Sequence, residues 1–521
     1  MKKKYVRWTL WTIASPFILF IILCILIYLP PIQNFLVDKA AVYASEATGM
    51  NISVGRISLS FPLNLVVTNV DAASPHNDTL LSVRRLQVNV QLLPLLKKQV
   101  EVDGISLQGA TVNSNDLIHG MKLNGTLGEL FISSHGVALD PETAIVNKVL
   151  LKDTDLSLCL NDTAAADTAA SDTTYWKIIL QDIDLQNVSF ALDMPLDSLS
   201  LAASLDNAIL RDGLIDLHKS AYSLQTFRIK NGRVRYDSGK PLAADSLSSG
   251  LDPSHIALTD IGVKLDSLYY GGRNMKAIIS QFVLKERSGV EIVSATGRMV
   301  SNDKVLRVPS LKLETRDSYL ELNAAMDWNA LDFKGEGLMS ARLMADIGKP
   351  DVVRFMGRMD EKFVRQYPSE PLRIRTGIDG DLNKLKLTTL TAELPGALGL
   401  FARGELTHLT DSLLRGGDIT LEAETKDLKF VSTLAEGIEI PYGTRLEGKF
   451  TMAGAKMGTD LLLMQPEAQA VAAADTIPIT VYNDSISVAD DFKMERAARL
   501  FAKYDLSRDR YEADLAVNHF D

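Results

Sequence analysis

The dominant pattern of this sequence is an alternation of apolar and polar residues with a period of two. In one clear example, every second residue is apolar, namely Leu86, Val88, Val90 and Leu92, and the residues between them are polar. Similar stretches recur through most of the 521 residues, whereas few segments have the period of an amphipathic helix. Because side chains of a strand alternate between the two faces of a sheet, the pattern predicts a mainly β chain with few short helices.

Pairs of Asp or Asn followed by Gly interrupt the alternating stretches and are typical of tight hairpin turns. The pairs are Asp103-Gly104, Asn124-Gly125, Asp212-Gly213, Asn231-Gly232 and Asp379-Gly380. Hairpins that follow one another in this way predict an antiparallel meander. The segment 161–174, rich in Ala, Asp and Thr, is expected to be a loop between two hairpins.

The apolar faces of these strands need a cover, and two architectures could supply it. A series of β-sandwiches would bury each face against a second sheet, but the chain lacks a convincing set of linkers between such domains. It also lacks a repeat of fixed period. An elongated, twisted antiparallel β-groove, lined by the apolar side chains, is therefore favoured. The candidate lining residues are Ile57, Leu59, Phe61, Leu86, Val88, Val90 and Leu92.

The N-terminus has the pattern of a membrane anchor. Residues 10–29 contain no charge, and twenty helical residues at about 1.5 Å each span a bilayer core. The predicted anchor residues include Phe17, Leu19, Ile21, Leu23 and Leu26, and the preceding basic residues Lys2, Lys3, Lys4 and Arg7 predict a cytoplasmic N-terminus. A cleaved signal peptide is the alternative, but its apolar region is usually shorter.

Five regions follow from these patterns. Residues 1–31 form the basic tip and anchor, 32–49 a juxtamembrane helix, 50–350 the β-groove, and 368–521 its continuation, which is expected to be truncated. Between them, residues 351–367 have apolar residues at helical spacing, namely Val352, Phe355, Met359 and Phe363. We expect a helix there that caps the end of a sheet; a helix that contacts a membrane or a partner is the alternative.

Composition argues against several function classes. The net charge of −10 and the absence of a basic tract beyond the N-terminus make nucleic acid an unexpected partner. The two cysteines, Cys24 and Cys159, cannot form a disulfide framework. The seven histidines are scattered, and the sequence contains none of the common motifs for nucleotide binding, metal binding or nucleophilic catalysis. We therefore expect no enzymatic activity, no metal and no cofactor.

Several segments carry a resemblance to a known family. The anchor is followed by ISLSFPLNLVVTNVDA (57–72), LLSVRRLQVNVQLLPLLKKQVEVDGISLQGATV (80–112) and FRIKNGRVRYDS (227–238). This combination resembles the AsmA-like superfamily, and within it the TamB family of translocation and assembly subunits, in a Bacteroidetes-type version. The resemblance covers roughly residues 1–240, and Leu86–Val112 is its best-matched part.

The resemblance implies a single-pass inner-membrane protein of a Gram-negative cell whose bulk is a periplasmic AsmA-like β-groove. Such a groove would carry phospholipids towards the outer membrane and support outer-membrane biogenesis. The alternative is a factor for protein secretion and outer-membrane protein assembly that acts with a TamA-like assembly barrel. An anchored scaffold of β-sandwiches is a third hypothesis. The C-terminal domain with which TamB proteins meet the barrel is missing from this sequence, which leaves that contact open.

Overall fold

The computed structural model describes most of the chain after the predicted anchor. The described residues are 39, 41, 42, 45, 49–60, 64–74, 79–91, 102–114, 120–138, 142–161, 175–239, 250–331, 337–357, 360–434, 443–466, 479–481, 486–488, 494–505 and 510–518. The predicted anchor and its basic flank lie outside them. Among the described residues, none of the helices has the length and apolarity needed to cross a bilayer. Of the predicted juxtamembrane helix 32–49, the structure describes Lys39, Ala41, Val42 and Ser45, which are helical, and Gly49, which lies in a turn.

The described chain is mainly β, as the alternation predicts, and it divides into two compact units. The first unit takes in residues up to 241, with 259–261, and the second contains the rest. The strands of the first unit are β1 (Asn51–Ser60), β2 (Asn64–Ala73), β3 (Thr79–Val90), β4 (Val102–Asn113), β5 (Met121–Ala138), β6 (Thr143–Leu160), β7 (Lys177–Met194), β8 (Leu199–Asp216), β9 (Ala221–Leu224) and β10 (Thr226–Ser238).

Strand order in the first unit follows the chain from β1 to β8. Strands β1 to β6 pair antiparallel with their sequence neighbours. The pairing of β6 with β7 is parallel, so the expectation of a simple hairpin meander is wrong at this point. Parallel strands need a connection that returns along their length. The predicted loop 161–174 connects these two strands, and residues 162–174 lie outside the described residues. Strand β8 then pairs antiparallel with β7, β9 and β10.

The Asp-Gly and Asn-Gly pairs do not form the predicted hairpin turns. Asp103-Gly104, Asn124-Gly125, Asp212-Gly213 and Asn231-Gly232 all lie inside strands, and Asp379-Gly380 ends one. The strands are correspondingly long, since β5, β6, β7 and β8 each contain 18 residues. Left-handed backbone is used within strands here, as Asn231 shows with a φ of 53°.

The second unit begins with β11, of which residues 259–261 belong to the first unit. From β12 to β22 each strand pairs antiparallel with the next, β22 then pairs with β25, and β25 pairs with β26. Its strands are β11 (His255–Gly271), β12 (Asn274–Glu286), β13 (Glu291–Ser301), β14 (Val305–Thr315), β15 (Tyr319–Asp327), β16 (Met339–Ile347), β17 (Leu372–Gly380), β18 (Lys384–Leu394), β19 (Leu398–Thr407), β20 (Gly416–Thr425), β21 (Arg445–Ala453), β22 (Lys456–Pro466), β23 (Ile479–Val481), β24 (Ile486–Val488), β25 (Met494–Asp505) and β26 (Arg510–Val517). Strands β23 and β24 form a separate hairpin.

Two short helices connect β16 to β17, where the sequence predicts one helix over 351–367. They are α1 (Lys349–Met356) and α2 (Glu361–Gln366), and α1 ends at Gly357, whose φ is 74°. Val352 and Phe363 of the predicted stripe pack inward, whereas Phe355 is 55% exposed. Met359 lies outside the described residues. A glycine that leaves the helical region stops the first helix before the apolar stripe is complete.

The helices close one end of the second unit over a compact apolar cluster. Phe363 packs edge-on against Phe430, with ring centroids 5.8 Å apart, and Tyr367 lies 5.1 Å from the same ring. The other buried members are Leu394 at the end of β18, Ala397 in the turn after β18, and Leu428 in the connection after β20. The cluster is therefore a hydrophobic cap on the strand ends.

A buried carboxylate fixes α1 to the sheet. Asp351 is fully buried, and its carboxylate accepts hydrogen bonds from the hydroxyls of Thr315 and Ser318 in the β14–β15 turn. Arg354 donates a third hydrogen bond to it at 2.9 Å and also contacts Asp317 at 2.8 Å. A buried charge with this set of partners holds its neighbours firmly, because losing it would strand several donors.

We predict that Asp351→Ala lowers the stability of the second unit by about 3 kcal/mol, because three partly buried donors lose their acceptor. Thermal unfolding followed by near-UV circular dichroism measures the change. Glu361→Ala is the matched control, since its ion pair with Arg365 is solvent-exposed and contributes little. Equal melting temperatures for the two variants would contradict the role assigned to Asp351.

Candidate functional site

Apolar side chains form four continuous rows across the first unit. In each row, hydrogen-bonded neighbours stand directly opposite one another on nine strands, β1 to β8 and β10. The Ile57 row contains Ile57, Val67, Leu86, Leu107, Leu130, Leu151, Leu185, Ala208 and Ile229; the Val54 row contains Val54, Val70, Val83, Ala110, Leu127, Thr154, Val188, Leu205 and Gly232. The Leu59 row contains Leu59, Leu65, Val88, Ile105, Ile132, Val149, Ile183, Leu210 and Phe227; the Ile52 row contains Ile52, Ala72, Leu81, Val112, Gly125, Leu156, Phe190, Ala203 and Val234. Together the rows make one apolar face.

The opposite face of the same strands is largely polar. The row that lies beside the Ile57 row consists of Arg56, Thr68, Arg85, Gln108, Glu129, Lys152, Gln186, Asn207 and Lys230. Acceptors and donors on this face also pair across strands, as when Ser189 donates to Asp155 at 2.8 Å. The first unit therefore has one face suited to water and one face suited to hydrocarbon.

The described residues do not seal the apolar face. Its large side chains, such as Leu86, Leu107 and Leu130, are only half-buried, and Phe190 is 38% exposed. The buried members of the four rows are mostly small, namely Ala72, Val83, Ala110, Thr154, Ala208 and Gly232. Two facing sheets would bury the large inward side chains instead. Open apolar surface of this extent is the usual mark of a binding surface.

The predicted lining residues share this face where the structure describes them. Ile57 stands opposite Val67, which stands opposite Leu86, and Leu59, Leu65 and Val88 are aligned in the same way. Val90 pairs with Val102 at the end of β3. Phe61 and Leu92 lie outside the described residues. The sequence pattern thus predicts which residues share a face within a strand, and the register adds their neighbours.

The second unit has a comparable apolar face. One row contains Leu313, Leu320, Ala345, Ile374, Ala392, Leu400, Ala423, Leu446, Leu463, Ala498 and Val517, and its neighbour contains Leu311, Leu322, Leu343, Thr376, Leu390, Ala402, Leu421, Gly448, Leu461, Leu500 and Leu515. On the other face Arg499 donates two hydrogen bonds to Asp460, at 2.8 and 2.6 Å, and lowers the pKa of that carboxyl. Each unit therefore has an apolar face and, opposite it, a more polar face.

A transverse line of residues that the strand register skips crosses the first unit, and the alternation pattern alone does not predict it. At one level in each of the nine strands, two consecutive residues that are polar or Gly separate the Val54 row from the Ile57 row, and one of the two is absent from the ladder pairing. We call the unpaired set the break line: Gly55, Asn69, Arg84, Gly109, Gly128, Asp153, Asn187, Asp206 and Asn231. A doubled polar position in each alternating stretch is the signal that could have revealed it.

One carboxylate on the face opposite the second unit's apolar rows is buried. Glu424 is 4% exposed, and among the described residues neither of its side-chain oxygens accepts a hydrogen bond. Arg445 lies 3.6 Å away and attracts the charge. Burial outweighs this attraction and raises the pKa of Glu424 above its ordinary value.

We predict that Glu424→Gln stabilises the protein at pH 7 and that the gain disappears near pH 4. Since the folded state raises the pKa of Glu424, the folded protein binds this proton more tightly than the unfolded chain does, and stability falls as pH rises above the ordinary value. Glutamine carries no charge and avoids this loss. Melting temperatures of both proteins between pH 4 and 7 measure the difference; a gain that grows towards acid pH would contradict the assignment.

The comparisons with known proteins add no identity to this geometry. No protein-family model matches the chain, and no curated protein matches it. The resemblance to AsmA-like proteins therefore stays a prediction based on the quoted segments.

Proposed function

We propose that this protein binds phospholipids along its apolar face and carries them between membranes without chemical change. Acyl chains would lie against the apolar rows, and headgroups would remain in water. The observation that carries the proposal is the unsealed row structure: large aliphatic side chains aligned over nine strands of the first unit, with a polar row directly behind them. Such a face favours hydrocarbon over polar ligands.

The dimensions of the apolar face fit acyl chains. Nine strands about 4.8 Å apart give a row of roughly 38 Å, whereas one leaflet of a bilayer core is about 15 Å thick. Each row is therefore long enough for acyl chains placed end to end. Every methylene moved from water onto the face gains up to about 0.8 kcal/mol, so even partial coverage of two acyl chains would hold a lipid.

The cellular setting belongs to the same proposal. A charge-free N-terminal segment preceded by Lys2, Lys3, Lys4 and Arg7 supports a single-pass inner-membrane anchor with a cytoplasmic N-terminus. The β units would then lie in the periplasm and pass phospholipids towards the outer membrane. The resemblance to the AsmA-like superfamily supports this placement.

We predict that Val88→Glu reduces the phospholipid that co-purifies with the full chain on the order of 100-fold, because a carboxylate in contact with hydrocarbon costs about 3 kcal/mol. Gln87→Glu is the matched control: it places the same group on the adjacent residue, which faces the polar side between Val66 and Ser106. Native mass spectrometry with lipids retained measures occupancy in both. Equal lipid content in two folded variants would count against the proposal.

A second candidate function is the assembly of outer-membrane proteins by strand addition. The observation that favours it is that β1 has β2 as its one hydrogen-bonded neighbour among the described strands, which leaves a strand edge. A photoreactive residue at Leu107 should capture lipid if the first proposal holds. A photoreactive residue at Ser58 in β1 should capture a barrel protein, such as a TamA-like partner, if the second holds.

A further inference from the structure

We propose that the break line folds the first unit into a trough, and that acyl chains lie on its floor, between the Val54 and Ile57 rows. The inference rests on the proposed function for the identity of the ligand. It names the track that the ligand occupies and the residues that position it. It also makes the bend itself testable in the absence of lipid.

The strands are expected to bend towards the apolar side. Two consecutive residues in each strand belong to the polar side at the break, so that side carries one extra residue; in β10 the pair Lys230-Asn231 is exposed while Ile229 and Gly232 are not. The same pattern in β1 leaves Ile52, Val54, Ile57 and Leu59 less exposed than their neighbours. Irregular extra residues bend a strand, and added length on the polar side bends it towards the apolar side.

The residue types of the break line suit a permanent bend. Asn69, Asp153, Asn187 and Asn231 have φ values between 50° and 54°, and Gly109 has a φ of 61°. Asn, Asp and Gly are the residues that adopt this left-handed backbone most readily. They occupy β2, β4, β6, β7 and β10.

Close contacts and hydrogen bonds complete the line. A Cβ added at Gly128 would lie 2.7 Å from the Cβ of Asp153, so the facing position requires glycine. Asn187 donates to Asp153, and Asn231 donates to Asp206, each at 2.9 Å. A second, shorter line of positions skipped by the strand register crosses β6 to β8 at Asn147, Gln181 and Asp212, and Asn147 donates to Gln181 across it at 2.9 Å.

Burial on the apolar face is concentrated in the rows beside the break line. The rows that border the break line contain most of the buried positions of the apolar face, including Val83, Ala110, Thr154 and Ala208. In the outer rows, Leu81 and Phe190 are 37% and 38% exposed. A floor that is more buried than its walls is the expected property of a trough. In the second unit β19, β20 and β21 pair without such a break.

Spin-label distances test the bend in the full chain, in detergent and without added lipid. Ile105→Cys with Val112→Cys places labels on the two walls of β4, in a background with Cys24→Ser and Cys159→Ser. A straight strand would separate the two positions by about 23 Å, and we expect a shorter distance. Leu400→Cys with Leu406→Cys in β19 is the straight-strand control, expected at about 20 Å. A straight-strand distance in β4 would overturn the inference and leave the proposed function intact.

Photocrosslinking along β5 then maps the track. Probes at Leu127 and Leu130 on the floor should give lipid adducts at least 5-fold more often than a probe at Leu123 near the rim, and a probe at Glu129 on the polar face should give none. Uniform capture along the apolar side would overturn the track. No capture at any apolar position would overturn the proposed function, and the track with it, whereas the label distance alone still decides the bend.

A triple variant separates the break line from the composition of the face. Asn69→Val with Asn187→Val and Asn231→Val opposes left-handed backbone without changing the rows, and we expect at least a 10-fold loss of bound lipid. The same three positions changed to Gly should retain it. A folded valine variant that keeps its lipid would overturn the positioning role. If the valine variant does not fold, the spin-label distance in the otherwise native chain decides.

Discussion

The fold depends on cross-strand register. In the four rows of the first unit, most apolar side chains stand opposite another apolar side chain on the neighbouring strand, and a shift of one residue in any pair would place polar groups in the rows. The rows give each half-buried Leu, Ile or Val lateral contact on both sides, which recovers part of the hydrophobic stabilisation that a second layer would supply. A one-layer sheet can therefore be stable while one face remains available to a ligand. The polar rows, with their cross-strand hydrogen bonds, keep the other face soluble.

The helical cap and the buried Asp351 show how the second unit manages its strand ends. Where the connections between strands are short, apolar side chains at the strand ends are exposed. In the second unit Phe363, Tyr367 and Phe430 cover these strand ends with aromatic surface. Asp351 orients α1 through hydroxyl donors that belong to the β14–β15 turn. The cap therefore joins connections that are far apart in sequence, and it restricts the ends of the strands while their apolar face stays open.

The sequence alone predicts the fold class and the sharing of a face by residues such as Leu86 and Val88, because an alternation with a period of two is typical of a β-strand. It does not predict the partner of each strand, which depends on long-range register, nor the parallel pairing of β6 with β7. The Asn-Gly and Asp-Gly pairs do not identify hairpin turns here for a physical reason: left-handed backbone is required both at tight turns and at the break line, and local sequence does not separate the two uses. Asn231-Gly232 illustrates this, since Asn231 breaks the alternation inside β10 and Gly232 continues the Val54 row.

The parallel pairing of β6 and β7 has a consequence for how the first unit forms. Every other pair in its ladder joins strands whose contacts begin at a nearby turn or short connection, so those pairs can zip up progressively from closely spaced residues. Thr143 meets Lys177, and Asp153 meets Asn187, only after a separation of 34 positions. Closing that larger loop costs more chain entropy before any contact compensates for it. The two hairpin blocks on either side, β1–β6 and β7–β10, are thereby natural cooperative segments, and their docking is the event that joins nine strands into one surface.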